Sequence, residues 1–366
     1  MIRWWCLLAL AGCGFQSDHA DDLGVGADAM SDGANADDGA HGGAPDLAGD
    51  AGPALNCPPP LLLATVADEG PGTGMNGAVL AFHVEPGGTL HKCNPYSGGG
   101  MALYKPYHAA FIPPDAIAVA DDSADTVFLL DANSDTIRWK YVYVTGALSF
   151  GGRDVFPIVH GGETLVAVAR STAGAASTVR DRLDLLRDGN MLAFLWKLDG
   201  NAQPVSNVAA TCASPLDPGR FFAVQNGSAP EAAFDDDPFA VAATPYASYP
   251  NGSTLITVQA ANVAGVHRTA WIDVSVGKLW YANDGGGTPS VIGPVGCPLA
   301  GCTLVDAAPD PSDANHFYAM CDYPNATPVH RDIVYLTAGG SCTTVYDSTP
   351  MVASSLALQR ISVAAP

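Results

Sequence analysis

The residues of this chain that could do chemistry are thinly spread, so each cluster has to be weighed by the types and spacing it offers. Asp131-Ala-Asn-Ser-Asp135 places oxygen ligands at alternate positions, as the opening of a calcium-binding loop does. Thr136, however, stands where such a loop needs glycine, and Val142 where it needs a bidentate glutamate, so the stretch reads as the turn of a hairpin. Asp121, Asp122 and Asp125 make a second acidic turn, and Asp235-Asp236-Asp237 an acidic run in a long loop; both read as solvated surface. His83, His91, His108, His160, His267, His316 and His330 show no His-Glu-x-x-His or other ligand spacing, so no metal ligand is assigned. A fold that closes around an axis can still gather such residues from distant parts of the chain. Trp139, Trp196, Trp271 and Trp280 could stack on sugar rings, but all four fall on predicted strands, where packing into a core is the simpler use.

Cysteine offers more. Beyond residue 56 there are seven: Cys57, Cys93, Cys212, Cys297, Cys302, Cys321 and Cys342. An odd number leaves at least one free or paired between chains. Nearness in sequence suggests Cys57 with Cys93, Cys297 with Cys302 and Cys321 with Cys342, which makes Cys212 the orphan. Cys297-Pro-Leu-Ala-Gly-Cys302 lacks the second close pair that a zinc site needs, and no Cys-x-x-Cys offers redox chemistry. The glycines at Gly98 to Gly100 and Gly285 to Gly287 precede no helix and read as loops, not phosphate cradles. His160-Gly-Gly-Glu163 is similar to the oxyanion loop of esterases, and Ala147-Leu-Ser-Phe-Gly151 to a nucleophile elbow without its first glycine. That elbow needs a strand-to-helix turn within α/β alternation, which is missing around it. No catalytic residue and no cofactor is assigned.

The N-terminus is where the sequence commits itself. Arg3 gives one positive charge, Trp4 to Ala11 a short apolar stretch, and Leu10-Ala11-Gly12-Cys13 closes it. A run this short cannot span about 30 Å of hydrocarbon, so it reads as a targeting signal over residues 1–12. Leu10-Ala11-Gly12-Cys13 resembles the lipobox of bacterial lipoproteins. The resemblance implies diacylglyceryl transfer to the Cys13 sulfur, cleavage before it and N-acylation, usually by palmitate, which would make the membrane the first partner. Gly14 is not the aspartate that marks inner-membrane retention in that family, so the resemblance points to the outer membrane of the cell envelope. Residues 13–56 follow as a spacer rich in Asp, Gly and Ala, with too few large apolar residues to fold.

The body is 57–366. Net charge is −21, with 37 acidic residues against 16 basic, so nucleic acid is excluded as a default partner. Nine aspartates and no lysine or arginine lie between Ser17 and Asp50, which leaves the body only moderately acidic. Forty glycines, 28 prolines and 14% charged residues point to an all-β class, because the runs between turn residues are short and rich in Val, Thr and aromatic side chains.

Five stretches repeat one pattern, an apolar strand, a tight turn and a second strand. They turn at Gly87-Gly88, Asn133-Ser134, Asp188-Gly189, Gly277 and Gly339-Gly340, with Phe221 to Gln225 and Asn226-Gly227 as a degenerate sixth. Spacing near 45 residues predicts a β-propeller of about six or seven blades, with tandem β-sandwiches as the alternative. Ala116 to Ala120, Leu165 to Ala169, Leu255 to Gln259 and Phe317 to Cys321 would then be inner strands. Ser177 to Asp188 fits a helix as well as it fits a hairpin arm. Val127 to Ile137 and Ala270 to Lys278 resemble hairpins of bacterial β-propeller repeat proteins of the quinoprotein-like and lactonase-like sort. The expected function is a non-catalytic, lipid-anchored binding or scaffold body for an envelope protein or glycan; the alternative is an envelope hydrolase or lactonase with a metal at the propeller axis.

Overall fold

Leu61–Asp68 is buried at all eight positions, and Ala116–Asp121 at all six. A strand apolar on both faces must lie between two layers, so strands of this kind call for a neighbouring sheet on either side. The computed structural model describes residues 57–68, 77–99, 103–121, 125–143, 153–170, 182–194, 208–215, 217–225, 232–236, 244–248, 255–263, 265–273, 277–283, 289–292, 301–352 and 355–364. Cys13 and the spacer, Asp122, Asp237, Cys297, Trp196, the 147–151 stretch, Gly100, Asn226-Gly227 and Gly285 to Gly287 lie outside these residues.

The described residues form six four-stranded antiparallel sheets. The first holds β1 (Leu61–Asp68), β2 (Ala78–Val84) and β3 (Leu90–Lys92), and its innermost strand, β24 (Leu356–Ala364), comes from the other end of the chain. The others run outward in chain order. The second is β4 (Pro106–Ile112), β5 (Ala116–Asp121), β6 (Thr126–Asp131) and β7 (Ile137–Val142), and the third β8 (Arg153–His160), β9 (Glu163–Arg170), β10 (Arg182–Arg187) and β11 (Asn190–Phe194). The fourth is β12 (Val208–Ala213), β13 (Phe221–Gln225), β14 (Ala232–Asp236) and β15 (Thr244–Ser248). The fifth is β16 (Leu255–Val263), β17 (Val266–Asp273), β18 (Lys278–Asn283) and β19 (Ser290–Ile292), and the sixth β20 (Thr303–Pro309), β21 (His316–Tyr323), β22 (His330–Thr337) and β23 (Cys342–Tyr346).

Side-chain alternation then closes these sheets into a ring. Leu61 and Leu63 of β1 pack with Ile117 and Val119 of the second sheet, whereas Leu62, Ala64 and Val66 pack with Tyr318 and Met320 of the sixth. Ala116, Ala118 and Ala120 face Val166 and Val168 of the third sheet; Ala167 and Leu183 face Phe221; Phe222 and Val224 face Trp271; Ala270 and Ile272 face Phe317. Each apolar cluster is thus the interface between two adjacent sheets, and the six innermost strands touch in sequence, β24·β4, β4·β8, β8·β12, β12·β16, β16·β20 and β20·β24. This is a β-propeller closed by pairing β24 with β1 through Leu61↔Ala364 to Asp68↔Leu356. Two separate sandwiches would not close a ring.

Several expectations need correction. Arg182–Arg187 is strand β10, so within the described residues the helical alternative for Ser177 to Asp188 fails. The four runs expected to be inner strands do lie inside: Leu255 to Gln259 belongs to the innermost strand β16, and the other three are the second strands β5, β9 and β21. Second strands are sandwiched more completely and so are the most apolar. Cys57 and Cys93 are bonded, with Cα atoms 5.7 Å apart. Cys302, however, bonds Cys321 at a Cα separation of 5.4 Å, not Cys297. Cys302 precedes β20, whose Leu304 lies opposite Cys321. Cys321 in turn faces Asp332 on β22, while Cys342 faces Leu336, about 13 Å further along that strand. That is too far for the expected Cys321–Cys342 bond, whose Cα atoms would have to lie within about 7 Å. Cys342 is disulfide-bonded all the same, and Cys212 is a free, buried thiol.

Candidate functional site at the propeller axis

Five of the six innermost strands carry a β-bulge where they pair with their second strand: between Pro106 and His108, Val208 and Ala210, Leu255 and Thr257, Leu304 and Asp306, and at Gln359-Arg360 opposite Thr65. An extra residue re-aims the side chains beside it. Here a polar residue stands at or just after four of these bulges: His108 on β4, Thr257 on β16, Asp306 on β20 and Arg360 on β24. Asp154 on β8 and Thr211 on β12 complete the set, one from each sheet, and all six are buried.

They form a bonded hub. Asp154 accepts hydrogen bonds from the Thr211 backbone N–H (2.8 Å) and hydroxyl (3.2 Å) of the next sheet. Asp306 accepts from the Ile361 N–H (2.8 Å), from its neighbour Ala307 N–H (2.9 Å) and from the Thr257 hydroxyl, so it ties the fifth, sixth and first sheets. The Arg360 guanidinium stands between the two carboxylates, Nη2 3.6 Å from Asp154 and Nε 3.7 Å from Asp306, and over the Tyr107 ring at 5.5 Å. Burial pushes the Asp306 carboxyl up from its ordinary range, against the pull of Arg360 and the three hydrogen bonds. Burial also works against the Arg360 charge, yet Tyr107, Asp306 and Asp154 together raise its pKa. A guanidinium therefore occupies the position between axial carboxylates that a cation site would need.

On the side where the innermost strands end, the axis opens into a cavity of about 400 Å³ lined from five of those six strands. Towards their ends the strands place small residues in the lining, Ala110, Ala213, Ala261 and Ala364, which leave the space unfilled. Phe111 and Phe156 give it aromatic walls, and the free Cys212 thiol lies in its lining. Burial, with Asp154 adding to it, pushes the Cys212 thiol well up, so it behaves as a small apolar group. At the floor His108 Nδ1 accepts from the Val155 N–H at 3.1 Å, and its Nε2 is 3.2 Å from the Gln259 amide nitrogen. Ser362 donates to the Ala109 carbonyl at 2.6 Å.

The other candidates serve the scaffold. Asp135 does not open a calcium loop: its carboxylate accepts from the backbone N–H groups of Ser97, Gly98 and Gly99 and from the Ser97 hydroxyl, at 2.9 to 3.3 Å. Positive φ at Gly98 and Gly99, 72° and 76°, turns those N–H groups into one concavity, and the aspartate fills it. Asp131 caps its own turn through the Asn133 and Ser134 N–H groups, and Arg138 beside it holds its pKa down at about 2. Asp121 is fully buried and accepts from the Tyr104 and Lys105 N–H groups, so it is no solvated surface. His160-Gly-Gly-Glu163 is the tight turn from β8 to β9, with φ of 61° and 84° at its glycines, which is hairpin chemistry and not an oxyanion loop. Trp271 is core, whereas Trp139 and Trp280 are partly buried against their clusters. Of the histidines, His108 alone among the described residues reaches the axial hub.

No protein-family model matches the chain, and no curated protein sequence matches it. Solved structures do. One chain of a nidogen/laminin complex is similar at a TM-score of 0.55 and 12% identity over 83% of this chain and 98% of that one. A protein of Bacteroides fragilis described as a candidate 6-phosphogluconolactonase gives a TM-score of 0.45 at 14% identity, over 78% and 81%. A Dos1 propeller gives 0.43 at 12%, over 72% and 63%. The first shows a shared fold; the likeness to the other two is too slight to argue from.

Proposed function

We propose that this chain is a lipid-anchored protein of the cell envelope whose propeller is a binding body, held off the membrane by residues 13–56. The observation that carries the binding reading is the Arg360 guanidinium between Asp154 and Asp306. A hydrolase or lactonase working through an axial metal needs those carboxylates for the cation. Here they hold sheets together and neutralise an arginine, and the space left open lies beyond them, at the cavity where the innermost strands end. Binding at such a mouth is a use that a rigid ring supports without any catalytic group. The anchor rests on Leu10-Ala11-Gly12-Cys13, and outer-membrane placement on Gly14.

Two measurements test the proposal separately. With Cys13→Ala, palmitate labelling is lost and the protein leaves the membrane fraction; unchanged labelling and retention would overturn the anchor. The full chain immobilised through its C-terminus should retain a defined envelope protein or glycan that excess soluble chain competes away. If nothing is retained in a competable manner, the binding reading falls.

A further inference from the structure

We infer that the axial cavity takes a small, uncharged, mainly apolar ligand that presents one hydrogen-bond acceptor, such as a carbonyl oxygen, to Gln259. The inference rests on the reading of the body as a binding module. About 400 Å³ is the volume of a small-molecule site, and apolar walls with a few placed polar groups are the usual composition of one. Among the described residues lining it, none carries a fixed formal charge, so a phosphate or carboxylate group would be desolvated there without a counter-ion.

The polarity of the floor follows from hydrogen-bond chemistry. His108 Nδ1 accepts from the Val155 N–H, so the neutral ring carries its proton on Nε2. Nε2–H therefore donates; the Gln259 amide nitrogen placed 3.2 Å from it cannot accept, so the amide is assigned the turned orientation, in which its oxygen takes that position. Gln259 is 5% exposed and His108 is its side-chain partner. Its NH₂ group is thereby left facing the cavity as a donor, held in one orientation by the chain Val155 N–H, His108, Gln259. A buried amide NH₂ without a partner favours a ligand that supplies an acceptor over one of the same shape that does not.

Matched probes test this: benzophenone, with a carbonyl between two rings, and diphenylmethane, which lacks it, each displacing N-phenyl-1-naphthylamine fluorescence from full-length protein carrying Cys13→Ala. We expect saturable displacement with benzophenone stronger by about threefold to tenfold, the span of one net hydrogen bond. Gln259→Leu should erase that preference while diphenylmethane still competes, and Ala213→Phe, which fills the cavity, should weaken both. Equal competition in the unaltered body, or a preference that survives Gln259→Leu, overturns the assignment. Absence of displacement also overturns it; if an envelope partner is still retained by the same protein, the binding reading stands without this cavity, and if not, both fall. Should Ala213→Phe fail to fold, Gln259→Leu decides alone.

Discussion

Arg360 is the residue on which the axis depends, and its removal has a signed consequence. Arg360→Met leaves Asp154 and Asp306 buried without their shared cation, a loss of about 3–5 kcal/mol for a broken buried pair. The folded-state pKa of Asp306 is raised, so the stability this group contributes is present below the ordinary aspartate range and is lost as pH rises through its folded value. Without Arg360 that value moves higher still. The drop in melting temperature caused by Arg360→Met should therefore widen from pH 5 to pH 8, and Arg360→Met combined with Asp306→Asn should narrow it again; a pH-independent gap would refute the hub. Asp131 has the opposite sign: held at about 2, it supports the fold above its ordinary range and ceases to as pH falls. Asp135→Ala should cost about 1–3 kcal/mol in urea unfolding, since four donors lose their acceptor, and calcium should stabilise neither protein. Little of this was legible in sequence. His108-Ala-Ala, Gln259-Ala-Ala and Asp306-Ala-Ala share a polar residue followed by two alanines at the end of an innermost strand, a weak repeat that would have marked the axis. Arg360 carries no such mark, because its partners are over fifty residues away or more.

Elements were more readable where burial is two-sided. The turns at Gly87-Gly88, Asp188-Gly189 and Gly339-Gly340 are hairpins between third and fourth strands, and Gly277 joins β17 to β18. Apart from Leu255 to Gln259, the innermost strands escaped notice because they crowd around an axis, where alanine and polar side chains fit and bulges interrupt the alternation. β24 was hidden for another reason, as nothing in a C-terminal strand announces that its partner β1 lies about 295 residues earlier, as Thr65 and Arg360 do. The Cys57–Cys93 bond pins the start of the body to the far side of the sheet that β24 completes. Replacing both cysteines by serine frees a loop of 36 residues and should cost about 3–4 kcal/mol on the chain-entropy account, seen as a lower denaturation midpoint with unchanged β content. A loss far below that would mean the β1–β24 pairing alone fixes this end.

At the scale of the molecule, ring closure explains why so acidic and polar an axis is tolerated. Each buried polar group of the hub is bonded to a neighbouring sheet, so the groups that in another propeller could bind an ion here join sheets to each other. Composition and turn spacing sufficed for a β-propeller; they could not say what its axis holds, since that depends on residues brought together from six sheets. The most direct test of the account is therefore metal content. Purified full-length protein should contain no stoichiometric calcium, zinc or manganese, and adding each should leave its melting temperature unchanged, because the Arg360 guanidinium already stands between Asp154 and Asp306. One equivalent of bound metal that raises the melting temperature, and is lost on Asp154→Asn or Asp306→Asn, would contradict it.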